Sequence, residues 1–417
     1  MLHFLYSQLM RLLVPFVLLR FWWQGRHAPE LRKNLRHRVG LVPGISGPVI
    51  WVHTASVGEV IAAGLLVRRL LACGLEARIL ITAMTDTGLA QARKMFGSSV
   101  DYAYVPLDTP GSIHRFLKRV DPRILVILET EIWPNMICQC RCRNVPVFLI
   151  NARLSERSTH GYERVKSLSA PVMQSITWVA AQAQPDAERF RRIGVEASQV
   201  EVTGSMKFDV DIPDDVREAS MGLRAKFGPR PVWTAGSTHG GEDEQVLAAH
   251  REILEQHPDA LLILVPRHPD RFESVAQMAE SQGFAVVRRS TGQESESAQV
   301  YVGDTMGELM MLYGASDMAF VGGSLIKRGG HNPLEPAAWG VPVLSGPHVF
   351  NFETVYEHLR SGGGVAMIQN SGELGQAVAR LMANREERQA FGERALAVVN
   401  KNRGALNRVV EGIVERL

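Results

Sequence analysis

The chain has 417 residues, of which 46% are hydrophobic and 21% charged, and its formal net charge is +3. This length exceeds what one ordinary hydrophobic core supports, so we expect two domains. The hydrophobic content excludes an intrinsically disordered protein, and the small net charge argues against a nucleic-acid partner bound through bulk electrostatics.

The cysteine content argues against both disulfides and a zinc site. The cysteines are Cys73, Cys138, Cys140 and Cys142, few enough to indicate a reducing compartment. The last three alternate along one short segment with no partner His/Cys pair, which is a poor zinc pattern, so thiols packed in a helix or loop are the simpler interpretation. We expect neither a bound metal nor a cofactor.

The amino-terminal segment, residues 1–25, is strongly apolar and predicts a membrane anchor. A clean membrane-spanning helix needs about 20 apolar residues. Here the longest apolar run is Leu12–Leu19, and Arg11 and Arg20 lie on either side of it. The segment lacks a basic leader and a small-residue cleavage site, so we do not expect a removed signal peptide.

Two tryptophans, Trp22 and Trp23, and then a basic cluster follow this run in the order expected at a lipid headgroup boundary. The cluster comprises Arg26, Arg32, Lys33, Arg36 and Arg38. We therefore interpret residues 1–23 as contacting membrane lipid, either as one short span or as an interfacial helix, with the body of the protein cytoplasmic. The alternative is an apolar helix packed on the protein's own surface.

Between residues 48 and 211, short apolar runs alternate with helix-like segments. This alternation is typical of parallel, doubly wound α/β sheets. The strand candidates are Pro48–His53, Ala77–Ala83, Ile124–Leu128, Val145–Ile150, Trp178–Ala181 and Val200–Thr203. We therefore expect residues 26–211 to form an amino-terminal Rossmann-like domain.

The same pattern then starts again. The strand candidates are Val232–Ala235, Leu261–Val265, Val300–Val302, Met318–Val321 and Val341–Leu344. They predict a second Rossmann-like domain at 232–395, preceded by an Asp- and Pro-rich linker at 212–231 and followed by a helix at 396–417. Two such domains facing each other across a cleft form the arrangement called GT-B among glycosyltransferases, and ligands of such sheets bind at the carboxyl ends of strands.

One segment of the second half has the layout of an anion or nucleotide site. The apolar run Met318–Val321 ends in Gly322 and Gly323, as a buried strand does where its backbone must approach something closely. Pro333, suited to the first turn of a helix, follows a short loop, and another strand candidate comes next. Strand, glycine turn, helix start and strand together predict a ligand at this edge of the sheet.

Several polar segments of the second half follow strands and could bind a nucleotide. Arg267 and His268 can donate to a phosphate. Backbone groups at a helix start could contact a base, and Glu335 could accept from ribose hydroxyls. These candidates are Arg267, His268, Gly307, Glu308, Leu309, Asn332, Pro333, Leu334 and Glu335. Each alone could equally be a helix cap or a salt bridge, but several strand ends converge.

The first half supplies acidic and basic candidates at its own strand ends. Glu59 opens a helix, where it could serve as a general base or simply as a first-turn glutamate. Glu129 and Glu131 follow one strand, where their charges repel unless a cation or donor lies between them. Lys207 could offset charge on a leaving phosphate, and Arg153 follows another strand. Each could also be a solvated ion pair.

The chain resembles the 3-deoxy-D-manno-octulosonic acid (Kdo) transferases of lipopolysaccharide synthesis over nearly its whole length. The resemblance lies in HTASVGE, ETEIWPN, TGSMKFD, PRHPDRF, GDTMGELMMLYGASDMAFVGGS and GGHNPLEPAAWGVPVLSGPHVFNF. It implies a GT-B enzyme at the cytoplasmic face of the bacterial inner membrane that inverts the sugar's anomeric carbon. The implied donor is CMP-Kdo, the implied acceptor is the lipid A precursor lipid IVA, and the first domain would hold the acceptor.

The resemblance also implies roles for individual residues. Glu59 resembles the general base that deprotonates the acceptor hydroxyl, whereas Glu129 and Lys207 resemble groups that support the transition state. The segments 267–268, 307–309 and 332–335 resemble those that contact CMP. No departure in these motifs puts the activity in doubt.

Other functions remain open from sequence alone. The chain has no GxxxxGK[ST], GxSxG or HExxH motif, which argues against P-loop enzymes and hydrolases. A UDP-sugar 2-epimerase or another nucleotide-sugar transferase would share the fold, and a membrane-anchored nucleotide-sugar sensor would bind without turnover. The number of Kdo units added, the acyl preference, the mode of anchoring and the oligomeric state are not fixed by these motifs.

Overall fold

The computed structural model describes residues 2–26, 32, 34–293 and 296–417. The chain divides into two compact units. The first runs to Lys207 and takes up Arg403–Leu417 as well, whereas the second comprises Phe208–Asn402. Each unit is built on a seven-stranded sheet, so the predicted two-domain α/β class is confirmed.

The sheet of the first unit has the order β3-β2-β1-β4-β5-β6-β7, and all neighbouring strands are parallel. Its strands are β1 (Val49–Thr54), β2 (Arg78–Ala83), β3 (Asp101–Tyr104), β4 (Pro122–Leu128), β5 (Val147–Ala152), β6 (Trp178–Ala181) and β7 (Val200–Val202). The central strands β1 and β5 are buried throughout, as expected for a parallel sheet covered on both faces.

Four helices of the first unit begin at capping residues that the sequence supplies. Side chains of Ser56, Thr85, Thr109 and Ser155 each accept a backbone N–H three residues later. The helices are α1 (Leu2–Gln24), α2 (Leu35–Arg38), α3 (Val57–Ala72), α4 (Asp86–Phe96), α5 (Pro110–Val120), α6 (Pro134–Cys142), α7 (Glu156–Arg164), α8 (Lys166–Met173), α9 (Gln184–Arg192) and, at the end of the chain, α18 (Ala405–Val414).

Two hydrophobic cores lie on opposite faces of this sheet because alternate residues of β1 point in opposite directions. Trp51 packs on Phe116 in one core, with ring centroids 4.5 Å apart. Ile50 and Val52 lie in the other core. Helix α18 completes that second core with the fully buried Val409, so the end of the chain belongs to the first unit.

The sheet of the second unit has the order β10-β11-β9-β8-β12-β13-β14, again with parallel neighbours. Its strands are β8 (Val232–Thr238), β9 (Leu261–Pro266), β10 (Val286–Arg288), β11 (Val300–Val302), β12 (Met318–Val321), β13 (Val343–Ser345) and β14 (Val365–Met367). The strands predicted at Val300–Val302 and Met318–Val321 are confirmed with those bounds.

Helices also cover both faces of the second sheet, which separates the cores around Trp233 and Val232. The helices are α10 (Asp214–Phe227), α11 (Asp243–Gln256), α12 (Phe272–Ser281), α13 (Leu309–Gly314), α14 (Leu334–Ala338), α15 (Glu353–Ser361), α16 (Ser371–Ala383) and α17 (Arg385–Asn402).

The unit boundaries differ from the expected ones at two places. The expected linker at 212–231 contains helix α10, whose Leu223 and Phe227 are buried in a core of the second unit. The expected single helix at 396–417 is broken at Gly404, which has a φ of 93°. Helix α17 ends before that glycine, and α18 begins after it.

Helix α1 lies along the first unit and contacts it near both of its ends. Near its start, the Tyr6 hydroxyl donates to Asp108 Oδ2 at 2.9 Å. The neighbouring Ser7 hydroxyl donates to Asn135 Oδ1 at 2.8 Å. Near its end, the ring centroid of Phe21 lies 4.8 Å from the guanidinium carbon of Arg38. The helix is therefore docked on the unit along one side.

The other sides of α1 are exposed and mostly apolar, with Arg11 and Arg20 as their charged residues. The exposed side chains include Phe4, Leu5, Leu9, Leu12, Leu13, Phe16, Leu19, Trp22 and Trp23. The segment Leu2–Trp23 is the one helix of the described residues that is long and apolar enough to cross a membrane. A helix docked on one side and mostly apolar on the others leaves an uncovered hydrophobic surface.

The basic cluster expected after α1 does not form one continuous surface. Arg26 and Arg32 lie against the ring of Trp22, at 5.7 and 4.7 Å from its centroid. Arg38 is 2% exposed and donates to the carbonyl oxygens of Val105 and Met84, so it stabilises the fold and cannot reach lipid headgroups. Lys33 lies outside the described residues.

Candidate functional site

In each unit, some of the candidate residues follow the strands between which the strand order of the sheet reverses. This point lies between β1 and β4 in the first unit and between β8 and β12 in the second. Ligands of open parallel sheets bind outside the carboxyl ends of the strands at such a point. Glu59 and Glu129 follow β1 and β4, and His239 and Gly322 follow β8 and β12.

Glu59 is held at the end of β1 by a capping box. It is the third residue of α3, and the side chain of the N-cap residue Ser56 accepts its backbone N–H. Its carboxylate reaches back, with Oε2 accepting from Ala55 N at 2.8 Å and Oε1 from the Ser56 hydroxyl at 3.1 Å. Burial raises the pKa of Glu59, these hydrogen bonds oppose the rise, and the charges of Glu129 and Glu131 add to it.

Glu129 and Glu131 lie in the turn after β4, outside the strand itself. Glu129 has a φ of 56°, an uncommon conformation for a residue with a side chain, and such strained residues cluster at functional sites. Trp133 Nε1 donates to Glu131 Oε2 at 3.0 Å, which fixes the direction of that carboxylate. Both acids lie near Glu59, since their charges act on its carboxylate.

These acids line a cavity of about 330 Å³ at the edge of the first sheet, a volume typical of small-molecule sites, which measure about 300–1,000 Å³. Its lining consists of Glu59, Glu129, Thr130, Glu131, Arg153, Leu154, Ser155, Ser158 and Tyr162. Three carboxylates thus share this lining with a single cationic residue, Arg153. The cavity can hold a polar ligand between carboxylates and an arginine.

Lys207 lies at another strand end of the same unit but outside the cavity lining. It follows β7 within the short 3₁₀ turn Met206–Phe208 and is partly exposed. Asn151, at the end of β5, has a φ of 50° and accepts the Met206 N–H at 3.2 Å. The structure therefore brings Glu59 and Glu129 into one cavity and leaves Lys207 on a neighbouring segment of that edge.

In the second unit, three adjacent strands are each followed by a histidine. His268 follows β9, His239 follows β8, and His331 follows the loop after β12. The rings of His239 and His331 are hydrogen-bonded Nε2 to Nε2 at 2.9 Å, and the His268 ring lies 5.3 Å from that of His239. The predicted residue His268 therefore belongs to a histidine cluster that the sequence analysis missed.

The glycine turn after β12 holds a buried side chain of the protein itself. The carboxylate of Glu242 accepts the backbone N–H groups of Gly323 at 2.6 Å and of Ser324 and Leu325 at 2.9 Å. Glu242 is completely buried. These N–H groups are occupied, so the prediction that this turn itself binds an anionic ligand is corrected: the turn positions the residues around it.

Gly322 is required by the neighbouring strand. A Cβ at this position would lie 2.6 Å from the carbonyl oxygen of Ser237, the residue of β8 with a φ of 57°. Gly323 makes room for a side chain, since a Cβ there would lie 2.9 Å from Cδ2 of His331. The backbone at these glycines is therefore closely approached, as predicted, but by Ser237 and His331 of the protein itself.

Arg267 and Arg328 are the cations near this histidine cluster that can meet a ligand. Both side chains are exposed, and neither forms an ion pair within the described part of the chain. Arg271, by contrast, is paired with the fully buried Asp243. Arg267 and Arg328 are therefore available to an anion; the phosphate contact of Arg267 stays a prediction, and Arg328 carries the same chemistry but was not singled out.

The segment Gly307–Leu309 is held by an ion pair. Arg289 donates from Nε to Glu308 Oε2 and from Nη2 to Glu308 Oε1, each at 2.9 Å. This pairing lowers the pKa of Glu308 below its usual value. Gly307 has a φ of 87°, and Leu309 is the first residue of α13. The side chain of Glu308 is therefore engaged, and its backbone is what the segment can offer to a ligand.

The segment Asn332–Glu335 is also tied together by its own side chains. Asn332 Oδ1 accepts the Leu334 N–H at 3.1 Å, and its Nδ2 donates to Glu335 Oε1 at 3.2 Å. Burial raises the pKa of Glu335. Pro333 precedes the five-residue helix α14. The Leu334 N–H expected to attract an anion is thus occupied, whereas Glu335 keeps a second carboxylate oxygen as an acceptor.

Among the described residues there is no group of three His, Cys, Asp or Glu side chains arranged to hold a metal ion. Cys138, Cys140 and Cys142 lie on α6, and Cys140 is buried in a core of the first unit. All four cysteines are free thiols. The packing interpretation of these cysteines thus agrees with the fold.

The comparisons with known proteins agree with these features. Residues 33–210 match the family model described as 3-deoxy-D-manno-octulosonic-acid transferase (kdotransferase). The 3-deoxy-D-manno-octulosonic acid transferase of Haemophilus influenzae is 41% identical over 98% of this chain and 97% of its own. The chain belongs to this family. The enzyme of the same name from Bordetella pertussis is 34% identical, with 99% of each chain covered.

Membership of this family makes the chain a glycosyltransferase, as predicted. Among solved structures, the UDP-GlcNAc 2-epimerase of Neisseria meningitidis bound to UDP-GlcNAc is similar over 88% of this chain and all of that one, with a TM-score of 0.58. Its sequence is only 14% identical, so the likeness is one of fold. It supports the predicted GT-B architecture, which epimerases and transferases share.

Proposed function

We propose that this Kdo transferase moves Kdo from CMP-Kdo to the lipid A precursor lipid IVA in lipopolysaccharide biosynthesis. The donor would bind to the second unit and the acceptor hydroxyl to the first. The observation that carries the proposal is the cavity in which Glu59 and Glu129 meet Arg153, in a chain 41% identical to a Kdo transferase. A partly buried carboxylate beside a polar cavity is what an acceptor hydroxyl requires.

Glu59 is the general base of this proposal. Its pKa is raised by burial and by Glu129 and Glu131, which makes its carboxylate a stronger base. The hydrogen bonds from Ala55 and Ser56 fix the direction of both carboxylate oxygens. Such fixed orientation is what a base needs to meet the acceptor hydroxyl at hydrogen-bond distance.

The proposed reaction is a single displacement that inverts the anomeric carbon. The acceptor oxygen forms its bond to that carbon while the bond to the phosphate oxygen breaks, Glu59 takes the hydroxyl proton, and CMP leaves with the bonding electrons. Positive charge develops on the sugar, and a carboxylate such as Glu129 would stabilise it. Lys207 would support the transition state as a cation.

The second unit offers the groups that the donor needs. Arg267 and His268 would contact the phosphate, the backbone of Gly307–Leu309 the base, and the free carboxylate oxygen of Glu335 a ribose hydroxyl. The donor carries one phosphate, and the exposed arginines can offset its charge, so the mechanism needs no metal ion. We propose no cofactor.

We further propose that α1 lies in the membrane interface at the cytoplasmic face and does not span the bilayer. Tyr6 and Phe21 are 15 residues apart, or about 22 Å along a helix, and both contact the first unit. A helix crossing the bilayer would have to release at least one of these contacts. The exposed leucines and phenylalanines of α1 would enter the lipid.

Incubation of the protein with fresh CMP-Kdo and lipid IVA, followed by mass spectrometry of the lipid, tests the proposed function. We expect a mass gain of one or more Kdo units and release of CMP. CMP binding without any change in the lipid would overturn the proposal and favour a sensor.

A further inference from the structure

His239, after β8, and His331, after β12, form a hydrogen-bonded pair. The geometry of this pair fixes where its protons lie. The rings of His239 and His331 lie within 8° of parallel, with the two Nε2 atoms 2.9 Å apart. A neutral imidazole carries a single N–H. One ring therefore donates from Nε2, leaving its Nδ1 as a bare acceptor, while the other accepts at Nε2 and carries its proton on Nδ1.

The surroundings of the pair are cationic. Burial and the nearby positive charges lower the pKa of both histidines to about 4, so both rings are neutral at pH 7. For His239 these charges come from His268, which follows β9, from Arg328 in the loop after β12, and from Arg271 and Arg267 close to His268 in the chain. For His331 they come from its partner ring, Arg267 and His268.

The acids near the pair are already engaged. Glu242, on the turn before α11, accepts backbone N–H groups, including that of His239 at 3.2 Å. Asp243 is paired with Arg271 and accepts from Thr238, and Glu335 accepts from Asn332. Within the described residues no carboxylate is hydrogen-bonded to either ring of the pair, so the cluster lacks a counter-ion.

An anion bound at this cluster would change the protonation of the pair. It would favour a proton on the bare Nδ1, because the rings would then share one positive charge and both Nδ1 atoms would be donors. Gly323 leaves the space for the His331 ring, since a Cβ there would lie 2.9 Å from Cδ2 of that ring. The glycine turn therefore contacts both the buried Glu242 and the ring of His331.

We propose that the His239–His331 pair binds a phosphate oxygen of the donor and takes up one proton from solvent as the donor binds. This inference rests on the proposed function, which supplies a donor with a phosphodiester. The pair adds a pH-dependent anion contact to those expected from Arg267 and His268. Loss of this proton at alkaline pH therefore weakens donor binding. The acceptor base is not the cause of the weakening.

The probe for this inference is the methyl ester of CMP. Like the phosphodiester of the donor, it keeps one negative charge between pH 6 and 9, so the ligand contributes no titration of its own. Binding is measured by isothermal titration calorimetry across that range with the wild-type protein, His239→Gln and His331→Gln. His257→Gln is the matched control, because this histidine of the second unit is also partly buried and its Nε2 donates to the carbonyl oxygen of Ala379 at 3.2 Å, away from the cluster.

We expect the dissociation constant of the wild-type protein to rise with pH, by up to about tenfold per pH unit while the complex keeps the added proton and the free pair lacks it, and to level off once the bound pair loses that proton. His257→Gln should keep this slope. His239→Gln and His331→Gln should bind about tenfold more weakly at pH 6.5 and show a flat profile. Thermal melting identifies any variant that has not folded. If one of the two pair variants has not folded, the other is used for the test.

The outcomes separate the inference from the function on which it rests. A flat wild-type profile would overturn the inference, and so would a slope that persists in both His239→Gln and His331→Gln, which would assign the proton to His268. Absence of binding at every pH would instead overturn the proposed donor, and the inference with it.

Discussion

Glu59 Oε2 accepts a hydrogen bond of 2.8 Å from the backbone N–H of Ala55, four residues earlier. The carboxylate proposed as the base is therefore also part of a helix cap. The two roles make different demands on the side chain. A cap needs an oxygen acceptor, which glutamine also supplies, whereas a base needs a group that can take a proton.

We predict that Glu59→Gln retains the stability of the protein, whereas Glu59→Ala loses about 1 kcal/mol because its cap is removed. Both variants should lose transfer activity by about 10²–10⁴-fold. Chemical denaturation and initial rates would be compared for the two. Activity retained in Glu59→Gln, with stability lost only in Glu59→Ala, would identify Glu59 as a cap and nothing more.

The pH dependence of transfer should reflect the raised pKa of Glu59. The rate should fall as the pH drops through that pKa, above the ordinary value of 4.5, because the protonated base cannot accept the acceptor's proton. Glu131→Gln removes one of the charges that raise this pKa, so the acid limb should move to lower pH. The measurement is kcat against pH. If the acid limb of the kcat profile lies at the same pH in Glu131→Gln as in the wild-type protein, the charge of Glu131 does not raise the pKa of the base.

The buried Glu242 should matter more for stability than any other glutamate of its turn. Its carboxylate accepts N–H groups from Gly323, Ser324, Leu325 and His239. Glu242→Gln leaves one oxygen and should cost about 2–3 kcal/mol. The control is Glu244→Gln, at an exposed residue that accepts one N–H, from Gly241, and should change stability by less than about 0.5 kcal/mol. Similar urea midpoints for both variants would contradict this account of the turn.

The docked arrangement of α1 predicts a shallow and uniform depth in the bilayer. With the native cysteines replaced by serine, spin labels at Leu5→Cys, Leu12→Cys and Leu19→Cys should report similar depths. A spanning helix would instead place the middle label deepest. Replacing the exposed Leu12, Phe16 and Leu19 by serine should shift the protein to the soluble fraction, because less apolar surface then enters the lipid. The matched variant Tyr6→Phe removes the hydrogen bond to Asp108 and should leave partition intact.

The sequence predicted the buried strands well and missed three of the four edge strands; the fourth, β7, was predicted as Val200–Thr203. Trp178–Ala181, Val300–Val302 and Met318–Val321 were predicted with their observed bounds because they are apolar runs buried on both faces. The missed strands are β3, β10 and β14, which are edge strands of their sheets and only partly buried. Strands of three or four residues that are partly exposed give a weaker apolar signal.

The site was predicted from strand ends but not from long-range pairing. The glycines after β12 and the helix start at Glu59 carry local signals, so both were found. Glu242 and Ser324 are 82 residues apart, and His239 and His331 are 92 apart. No local pattern indicates such pairs. The strand-end position of His239, directly after the run that closes β8, is the one signal that could have revealed it.

The most direct test of the central claim is a side-by-side transfer reaction with the wild-type protein and Glu59→Gln. Each is incubated with fresh CMP-Kdo and lipid IVA, and CMP affinity is measured on the same preparations. The account predicts that the wild-type protein adds Kdo to the lipid and that Glu59→Gln binds CMP equally well but adds none. Transfer by Glu59→Gln at the wild-type rate would contradict it.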